Sequence, residues 1–490
     1  VRCARMDIAP LCTGDLETTE RAAGGTRVRE LSENAVGAFL SRARSVQSSL
    51  SSIPVSERLA VFDEVSNIWV GKVSSGRLSA LRQNLSASTG YSERMIDLEF
   101  SLVPEMLNSA NLQKNLGASF IGGARSLEAP ARIAEGELIR QLPAGPVFII
   151  SSGNSLIPPL IPTTLSLVTG NLTLLRPSLA NYAGVSEVYS ALSKVPSKTA
   201  RLFEEALALS YFSHDSPVLK HLLTKAGLGV INFWGGEPAR TSVGMQIAEN
   251  RSHPRLIVNG PMTGHAIIDA PSADAAAALG LAKNIVLYDQ QLCSSPTQAA
   301  FIGDYAQAEA FALAVGEALD QLSLDYPLRL GEGATFALQG ARRFLLFKGS
   351  NVLASKGQDS PWTVVVSRSS STLDELVSAS PEFGLMNRRR FIEIIAVGTP
   401  DAAVRLVRDV PSRRAFMGVD RVQSIGLAVS EHARQTLLEA LSKEGVYRIV
   451  PLGDMFMRSA VEPYDGVSLA GSFTYSLYVQ DDRPGTRVGS

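Results

Sequence analysis

The stretch GPVFIISSGNSLIPPLIPTTLSLVTGNLTLLRPS, residues 145–178, decides the fold class. Pro146 to Ser151 reads as a buried apolar strand. A Pro-punctuated segment and a helix follow, and Thr169-Gly170-Asn171 closes that helix and opens a second strand, Asn171 to Leu175. Strand, helix and strand within about thirty residues imply a parallel pair with a right-handed crossover. Val147 to Val168 is the most apolar long run, but Gly153, Asn154, Pro158, Pro159 and Pro162 interrupt it, which argues against a membrane span.

Downstream, the alternation continues. Helical patterns cover Asn181–Leu192, Thr199–Leu209 and Val218–Lys225, and Leu228–Trp234 is another buried strand. Gly235-Gly236 ends it, and a helix is expected over Glu237–Ala248. A strand, two glycines and a helix N-terminus form a place where free N–H groups can meet a phosphate. An ordinary βα turn is the alternative, since no G-x-G-x-x-G is present. Further strands are expected at Arg255–Asn259, His265–Ile268, Pro361–Ser367, Phe391–Val397, Val422–Val429 and Tyr447–Val450, and helices at Ala273–Val286, Ala306–Leu322 and Ala402–Val407.

Upstream, ARIAEGELIRQLPAG (131–145) alternates around Glu135-Gly136 and reads as a β-hairpin. Residues 33–116 carry apolar side chains at helical spacing, among them Leu59, Phe62, Val65 and Trp69. The expected organisation is a poorly ordered segment 1–30, a first domain 31–260, a second domain 261–450, and a tail 451–490 that packs back or oligomerises.

Between the helix ending near Val286 and the apolar run Ala299–Ile302 lies YDQQLCSSP (288–296). It places Cys293 on a tight polar loop between two buried elements. A thiolate attacks carbonyl carbon readily; a half-buried structural cysteine is the bland alternative.

The 490 residues suggest two or three domains, and a net charge of −1 with no basic surplus gives no reason to expect a nucleic-acid or anionic-membrane partner. Three cysteines (Cys3, Cys12, Cys293) make no disulfide framework, so a reducing, cytoplasmic setting is expected. No metal-ligand spacing is present. The N-terminal stretch has no apolar core long enough for a signal peptide.

The ordered motifs GNSLIPP (153–159), TGNLTLLRPS (169–178), FWGG (233–236) and DQQLCSSP (289–296) resemble the aldehyde dehydrogenase superfamily, and within it the acyl-CoA reductases of the bacterial-luminescence type, from about Val55 to the C-terminal region. The resemblance implies an α/β fold of two parallel-sheet βαβ domains with helices on both faces, a small oligomerisation hairpin, and a homo-oligomer. It implies that Cys293 is the nucleophile and that Asn154 supplies an oxyanion donor; a turn residue is the alternative for Asn154. It places a nicotinamide cofactor near Arg176, Ser178, Trp234, Gly235 and Gly236, with Glu382 of SPEFG as a candidate ribose contact. Arg176 stands where the family usually has Lys. A planar fork suits a phosphate, which favours NADPH over NADH; a solvated strand-end Arg is the alternative.

Family members that make free acids carry a Glu base in the segment matching VNGPMTG (258–264), whereas Asn250–Ile268 contains no carboxylate. Water attack on an acyl-Cys needs a base. The expected function is therefore reduction of an acyl-CoA or acyl-carrier thioester to an aldehyde. The alternatives are oxidation of aldehyde with NAD(P)+, a cofactor-free cysteine acyltransferase or thioesterase, and a non-catalytic scaffold. His265 is weighed as an acid or base against a packed core residue.

Overall fold

The structure, a computed structural model, describes residues 7–14, 16–23, 26–357 and 359–480. The described residues form two compact units, one from those within 1–89, 96–259 and 459–490, the other from those within 90–95 and 260–458.

The first unit is organised on a five-stranded parallel sheet: β1 (Val147–Ile150), β2 (Thr173–Arg176), β3 (Leu207–Leu209), β4 (Val230–Trp234) and β5 (Arg255–Asn259). Their spatial order is β5-β4-β1-β2-β3. β1 and β4 are buried at every residue, as continuous apolar runs in a parallel sheet must be when both faces are covered. The chain moves outward from β1 through β2 to β3, then returns to the other side of β1 for β4. That reversal opens a crevice beyond the carboxyl ends of β1 and β4, the usual ligand position in an open α/β sheet.

The helix Ile157–Val168 connects β1 to β2. Pro158 and Pro159 sit in its first turn, where the missing N–H groups have no intrahelical partner to lose. Its end explains the TGN motif. Thr169 Oγ1 donates to Leu165 O (2.8 Å), Gly170 adopts φ +90°, and Asn171 Nδ2 donates to Phe473 O (3.0 Å). The fold thus fastens β2 to the C-terminal segment.

Three features of this unit were not read from the sequence. Residues expected to be poorly ordered form strands: Thr18–Ala23 pairs antiparallel with Thr26–Leu31, and Asp7–Ile8 joins in parallel. The first six residues of that expected segment lie outside the described residues, as does the tail beyond Gln480. Val28 and Leu31 are buried there, as is Glu30, which meets Arg21 Nε at 2.5 Å. The charged residues of TRVREL hide a period-two pattern. The helix begun at Lys198 ends at Ala206, and Leu207–Leu209 becomes β3; a three-residue apolar run has too little length to reveal its period. The tail packs back as a strand, which its sequence did not declare. Thr474–Gln480 pairs antiparallel with Glu137–Pro143, which also pairs with Ala131–Ala134, so the hairpin is two-thirds of a three-stranded sheet.

The second unit is a seven-stranded sheet: β6 (Met262–Asp269), β7 (Pro296–Ile302), β8 (Asn351–Ala354), β9 (Thr363–Arg368), β10 (Phe391–Val397), β11 (Arg421–Ala428) and β12 (Arg448–Pro451), in the order β8-β9-β10-β7-β6-β11-β12. Only β8 runs antiparallel. Alternating residues feed two cores. Ile267, Ala300, Val365, Ile395 and Ile425 face helices 332–347, 373–379, 400–408 and 431–441. Ala266, Phe301, Val364 and Ile394 face helices 275–286 and 305–325. Among the described residues, no helix is long and apolar enough to cross a membrane.

Candidate active site

Cys293 lies three residues before β7, half-buried, and Gln423 Nε2 on β11 donates to its Sγ at 3.1 Å. An N–H aimed at sulfur stabilises negative charge there, and the thiolate is the nucleophilic form. Gln423 was not singled out from the sequence. Its signal is an amide within the apolar run Val422–Val429, where it is 1% exposed.

The approach to Cys293 is conformationally costly. Tyr288, Asp289 and Gln290 take φ of +56°, +47° and +65° in succession, a left-handed run without a glycine. Side chains hold it in place. Asp289 Oδ1 accepts from Arg390 Nε (2.9 Å) and Nη2 (2.6 Å). Gln290 imitates a strand: its Nε2 donates to Pro296 O and Phe391 O, and its Oε1 accepts from Phe391 N, all at 2.8 Å. Gln291 Nε2 donates to Arg388 O (3.1 Å). Burial pushes the Asp289 carboxyl up and the Arg390 guanidinium down, each opposed by its partner's charge. This is a dry ion pair.

Past the cysteine, the chain presses on β6. Gly264 N donates to Ser295 O (3.0 Å), and a Cβ at Gly264 would stand 2.1 Å from Ser294 O. Only glycine permits that approach. His265, the next residue, is fully buried; burial, then the charge of Arg413, lowers its pKa to about 3, and Nε2 has no hydrogen-bond partner among the described residues. A neutral, enclosed imidazole is a packing residue and no proton shuttle.

In the first unit, Asn154 sits on the loop after β1. Its Oδ1 accepts from Ser152 Oγ (2.9 Å). Two buried side chains set the loop's shape. Asn181 Nδ2 donates to Ser152 O (3.0 Å) and Ser155 O (2.6 Å), and Glu99 Oε1 accepts Leu156 N–H (2.8 Å) while bonding the Ser155 hydroxyl. Gly153 lies against Ser178, whose Oγ would be 2.4 Å from an added Cβ. The structure therefore brings Asn154, Ser178 and the end of β2 together.

Glu99 is fully buried, and burial, opposed by its hydrogen bonds to Ser155 and Leu156, raises its carboxyl to about 7 from the ordinary 4.5. A raised folded value means that Glu99's contribution is fully present below pH 4.5 and is lost as the pH climbs through 7. Glu99→Gln keeps an oxygen for Leu156 N–H but carries no charge. The variant's unfolding free energy relative to wild type is expected to rise across that window by up to ~3 kcal/mol, then level off. Urea denaturation at a series of pH values measures it; a pH-independent difference contradicts the assignment.

Arg176, at the end of β2, gives its Nε to Phe212 O (2.8 Å) and stacks over Tyr211 (4.7 Å); burial lowers its pKa. Its guanidinium is held in place at the half-buried strand end. Trp234 closes β4 with Nε1 donating to Asn232 Oδ1 (2.6 Å). Gly235 N donates to Asn259 O (3.1 Å), and Gly236 O accepts Arg240 N (3.0 Å). The helix begins at Ala239, two residues later than the sequence suggested, because Pro238 occupies the cap. A concavity of about 550 Å³ runs along it, lined by residues that include Glu237, Thr241, Met245 and Glu249. The reversal beside β1 and the twin-glycine turn stand where an open α/β sheet receives a dinucleotide. Glu382 lies in the second unit on an exposed turn, Pro381–Phe383, with its carbonyl accepting Asn387 Nδ2. Among the described residues, no group of three His, Cys, Asp or Glu side chains is placed to hold a metal ion.

Solved aldehyde dehydrogenases share this fold. The methylmalonate-semialdehyde dehydrogenase of Oceanimonas doudoroffii superposes with a TM-score of 0.70 at 14% identity, covering 98% of this chain and 99% of that one. The NADP-dependent glyceraldehyde-3-phosphate dehydrogenase of Bacillus halodurans gives 0.67 at 16% identity, over 97% and 100%. In sequence, the chain is 23% identical to the long-chain acyl-protein thioester reductase of Aliivibrio fischeri over 389 residues, 79% of this chain and 74% of that protein. It is 26% identical to the enzyme of the same name from Photorhabdus luminescens over 314 residues, 63% and 62%. Residues 50–473 match the acyl-CoA reductase (LuxC) family as a whole, with the glycine-asparagine loop, the twin-glycine turn and the Cys293 loop all inside the match, and the chain belongs to that family.

Proposed function

We propose that the protein takes an acyl group from a thioester onto Cys293 and releases it as an aldehyde, using NADPH in preference to NADH. The observation that carries this reading is the Cys293 sulfur itself, half-buried, met by the Gln423 amide, and fixed on a loop that Asp289, Gln290 and Gly264 hold in one shape. The Cys293 thiolate attacks the acyl carbonyl, a carbon–sulfur bond forms, and the carrier's thiolate leaves and takes up a proton. Asn154 and the Cys293 backbone N–H serve as donors to the oxyanion. A nicotinamide cofactor, when bound, supplies the hydride that reduces the acyl carbon. Hydride addition leaves a thiohemiacetal oxyanion on Cys293; its carbon–sulfur bond breaks, the oxygen's electron pair re-forms the carbonyl, and the aldehyde departs from a regenerated thiolate.

Ser178, Trp234, Gly235 and Gly236 would line the cofactor, and Glu382 would contact its ribose. The fixed guanidinium of Arg176 supports NADPH, because a planar fork held on Tyr211 is pre-oriented for a phosphate. Arg176→Leu is expected to raise the NADPH dissociation constant about tenfold and that for NADH about twofold, the difference being one charge-assisted contact; equal changes contradict the phosphate role. The relatives' names favour a long acyl chain on a protein carrier. Exposed Tyr475, Leu477 and Tyr478 on the sheet edge Thr474–Gln480 support self-association, and a reducing, cytoplasmic setting suits a catalytic thiol. The experiment is a panel of acyl thioesters of increasing length, on CoA and on a carrier protein, with NADPH consumption and aldehyde trapping as readouts. Vigorous CoA-independent oxidation of aldehyde in its place would make the protein an oxidising dehydrogenase.

A further inference from the structure

The C-terminal segment meets the end of β4 as a tight hairpin turn. Tyr464 and Val467 exchange backbone hydrogen bonds of 2.8 and 2.9 Å. Between them, Asp465 and Gly466 adopt φ of +52° and +77°, the pair of left-handed residues that a type I′ turn requires. The Tyr464 ring meets Trp234 edge-on, with centroids 4.6 Å apart. Asp465 enters the interior, 5% exposed.

From that carboxylate a directed chain of hydrogen bonds runs to the twin-glycine turn. Asp465 Oδ2 accepts from Asn259 Nδ2 (3.1 Å), across 206 positions of sequence. Asn259 Oδ1 accepts from Asn232 Nδ2 (2.8 Å), and Asn232 Oδ1 accepts from Trp234 Nε1 (2.6 Å). Asn232 and Asn259 are buried, so water is a poor substitute. The main-chain carbonyl of Asn259 also accepts Gly235 N–H (3.1 Å). The direction of the chain matters. An indole N–H can only donate, which fixes Asn232 with its oxygen towards Trp234 and its nitrogen towards Asn259. Asn259 must then present oxygen to Asn232 and nitrogen outward, and that nitrogen needs an acceptor. Asp465 is that acceptor. Without it, a buried amide loses its partner at the end of a network whose members reinforce one another.

We infer that Asp465 is a positioning residue for the nicotinamide cofactor, holding Asn259, Asn232 and Trp234 so that the Gly235-Gly236 turn keeps the shape the cofactor meets. The inference rests on the reading that this turn receives the cofactor, and extends it to a residue of the C-terminal segment. It also accounts for the Tyr-Asp-Gly sequence, whose turn delivers one acceptor to the far end of a polar chain.

The test separates cofactor binding from the chemistry of the thiol. Asp465→Gly tolerates the left-handed backbone and deletes the acceptor; Asp465→Asn tolerates it and keeps an accepting oxygen. For each, NADPH affinity is measured by fluorescence titration, and Cys293 acylation by an acyl-CoA is followed by intact mass without any cofactor. Asp465→Gly is expected to raise the NADPH dissociation constant about tenfold, the scale of one hydrogen bond to a charged group, with acylation within about twofold of wild type. Asp465→Asn should restore affinity to within about threefold. Asn259→Ala removes the same link together with the acceptor for Asn232 Nδ2, and is expected to give a loss at least as large as Asp465→Gly, with the double variant no worse than Asn259→Ala alone. NADPH affinity unchanged in Asp465→Gly overturns the inference. So does a parallel fall of affinity and acylation rate, which would make Asp465 a residue that only holds the fold. A wild-type protein that binds no nicotinamide dinucleotide removes the cofactor reading itself, an outcome visible before any variant is made.

Discussion

Cys293→Ala is expected to reduce thioester-dependent NADPH oxidation by at least ~10³-fold, as loss of a covalent nucleophile does, while leaving NADPH affinity within about twofold. The two halves of that result come from different parts of the chain. Cys293 belongs to the loop before β7, whereas Trp234, Gly235 and Gly236 belong to the end of β4 in the other unit. Deleting one sulfur removes the atom that holds the acyl group and leaves the backbone of the turn intact. Ala is preferred to Ser as the test, since a hydroxyl beside Gln423 could still be acylated slowly. The readouts are the steady-state rate and a fluorescence titration. A variant that retains a tenth of the rate would show that the acyl group is not carried on this residue.

Asp289→Ala is expected to destabilise the second unit by ~3–5 kcal/mol, the range found when one partner of a buried ion pair is deleted. The size follows from what remains. Arg390 is 1% exposed, and without Asp289 it keeps only Ser323 Oγ (3.1 Å) and Tyr326 O (2.6 Å) for a charge that burial already disfavours. Asp289 also carries a left-handed backbone, and the ion pair holds it there. The loss should therefore appear twice, as a lower urea midpoint and as slower acylation of Cys293 under conditions where the protein stays folded. A variant within ~1 kcal/mol of wild type would show that the pair contributes no more than a surface salt bridge. Replacing both partners with apolar residues should recover much of the stability, because no charge is then left buried, but not the acylation rate if the pair sets the loop.

Much of this architecture could be read from the chain because a parallel sheet buried on both faces writes its strands as plain apolar runs. VFII is such a run, VINFW and FIEIIAV are broken by one polar residue each, and all three are strands. What the local pattern concealed has physical causes. TRVREL hides a strand because Glu30 and its arginines interrupt the alternation, yet Glu30 is buried against Arg21. Leu207–Leu209 is too short to declare its period. The strand Thr474–Gln480 reads as an irregular aromatic tail because its partner, Glu137–Pro143, is more than three hundred residues away.

Of the proposed site, the residues with a distinctive chemical type stand out in the sequence: the isolated thiol Cys293, Asn154 after a glycine, and the pair Gly235-Gly236. The supporting residues do not. Gln423, Glu99, Asn181 and Asp465 act through contacts made across 130, 57, 29 and 206 positions. No single helix or strand contains both ends of any of them. Each was nevertheless marked as a polar side chain in or beside an apolar run, and in this chain such residues repay inspection: the protein interior rarely keeps a polar group without a partner.

The most direct measurement is intact-protein mass spectrometry after mixing the enzyme with a long-chain acyl-CoA in the absence of reductant. The account predicts an added mass of one acyl group, localised to the peptide containing Cys293, that disappears on addition of NADPH as the matching aldehyde is trapped. An unmodified protein, an adduct that survives in Cys293→Ala, or an acyl group discharged as free acid instead of aldehyde would contradict it.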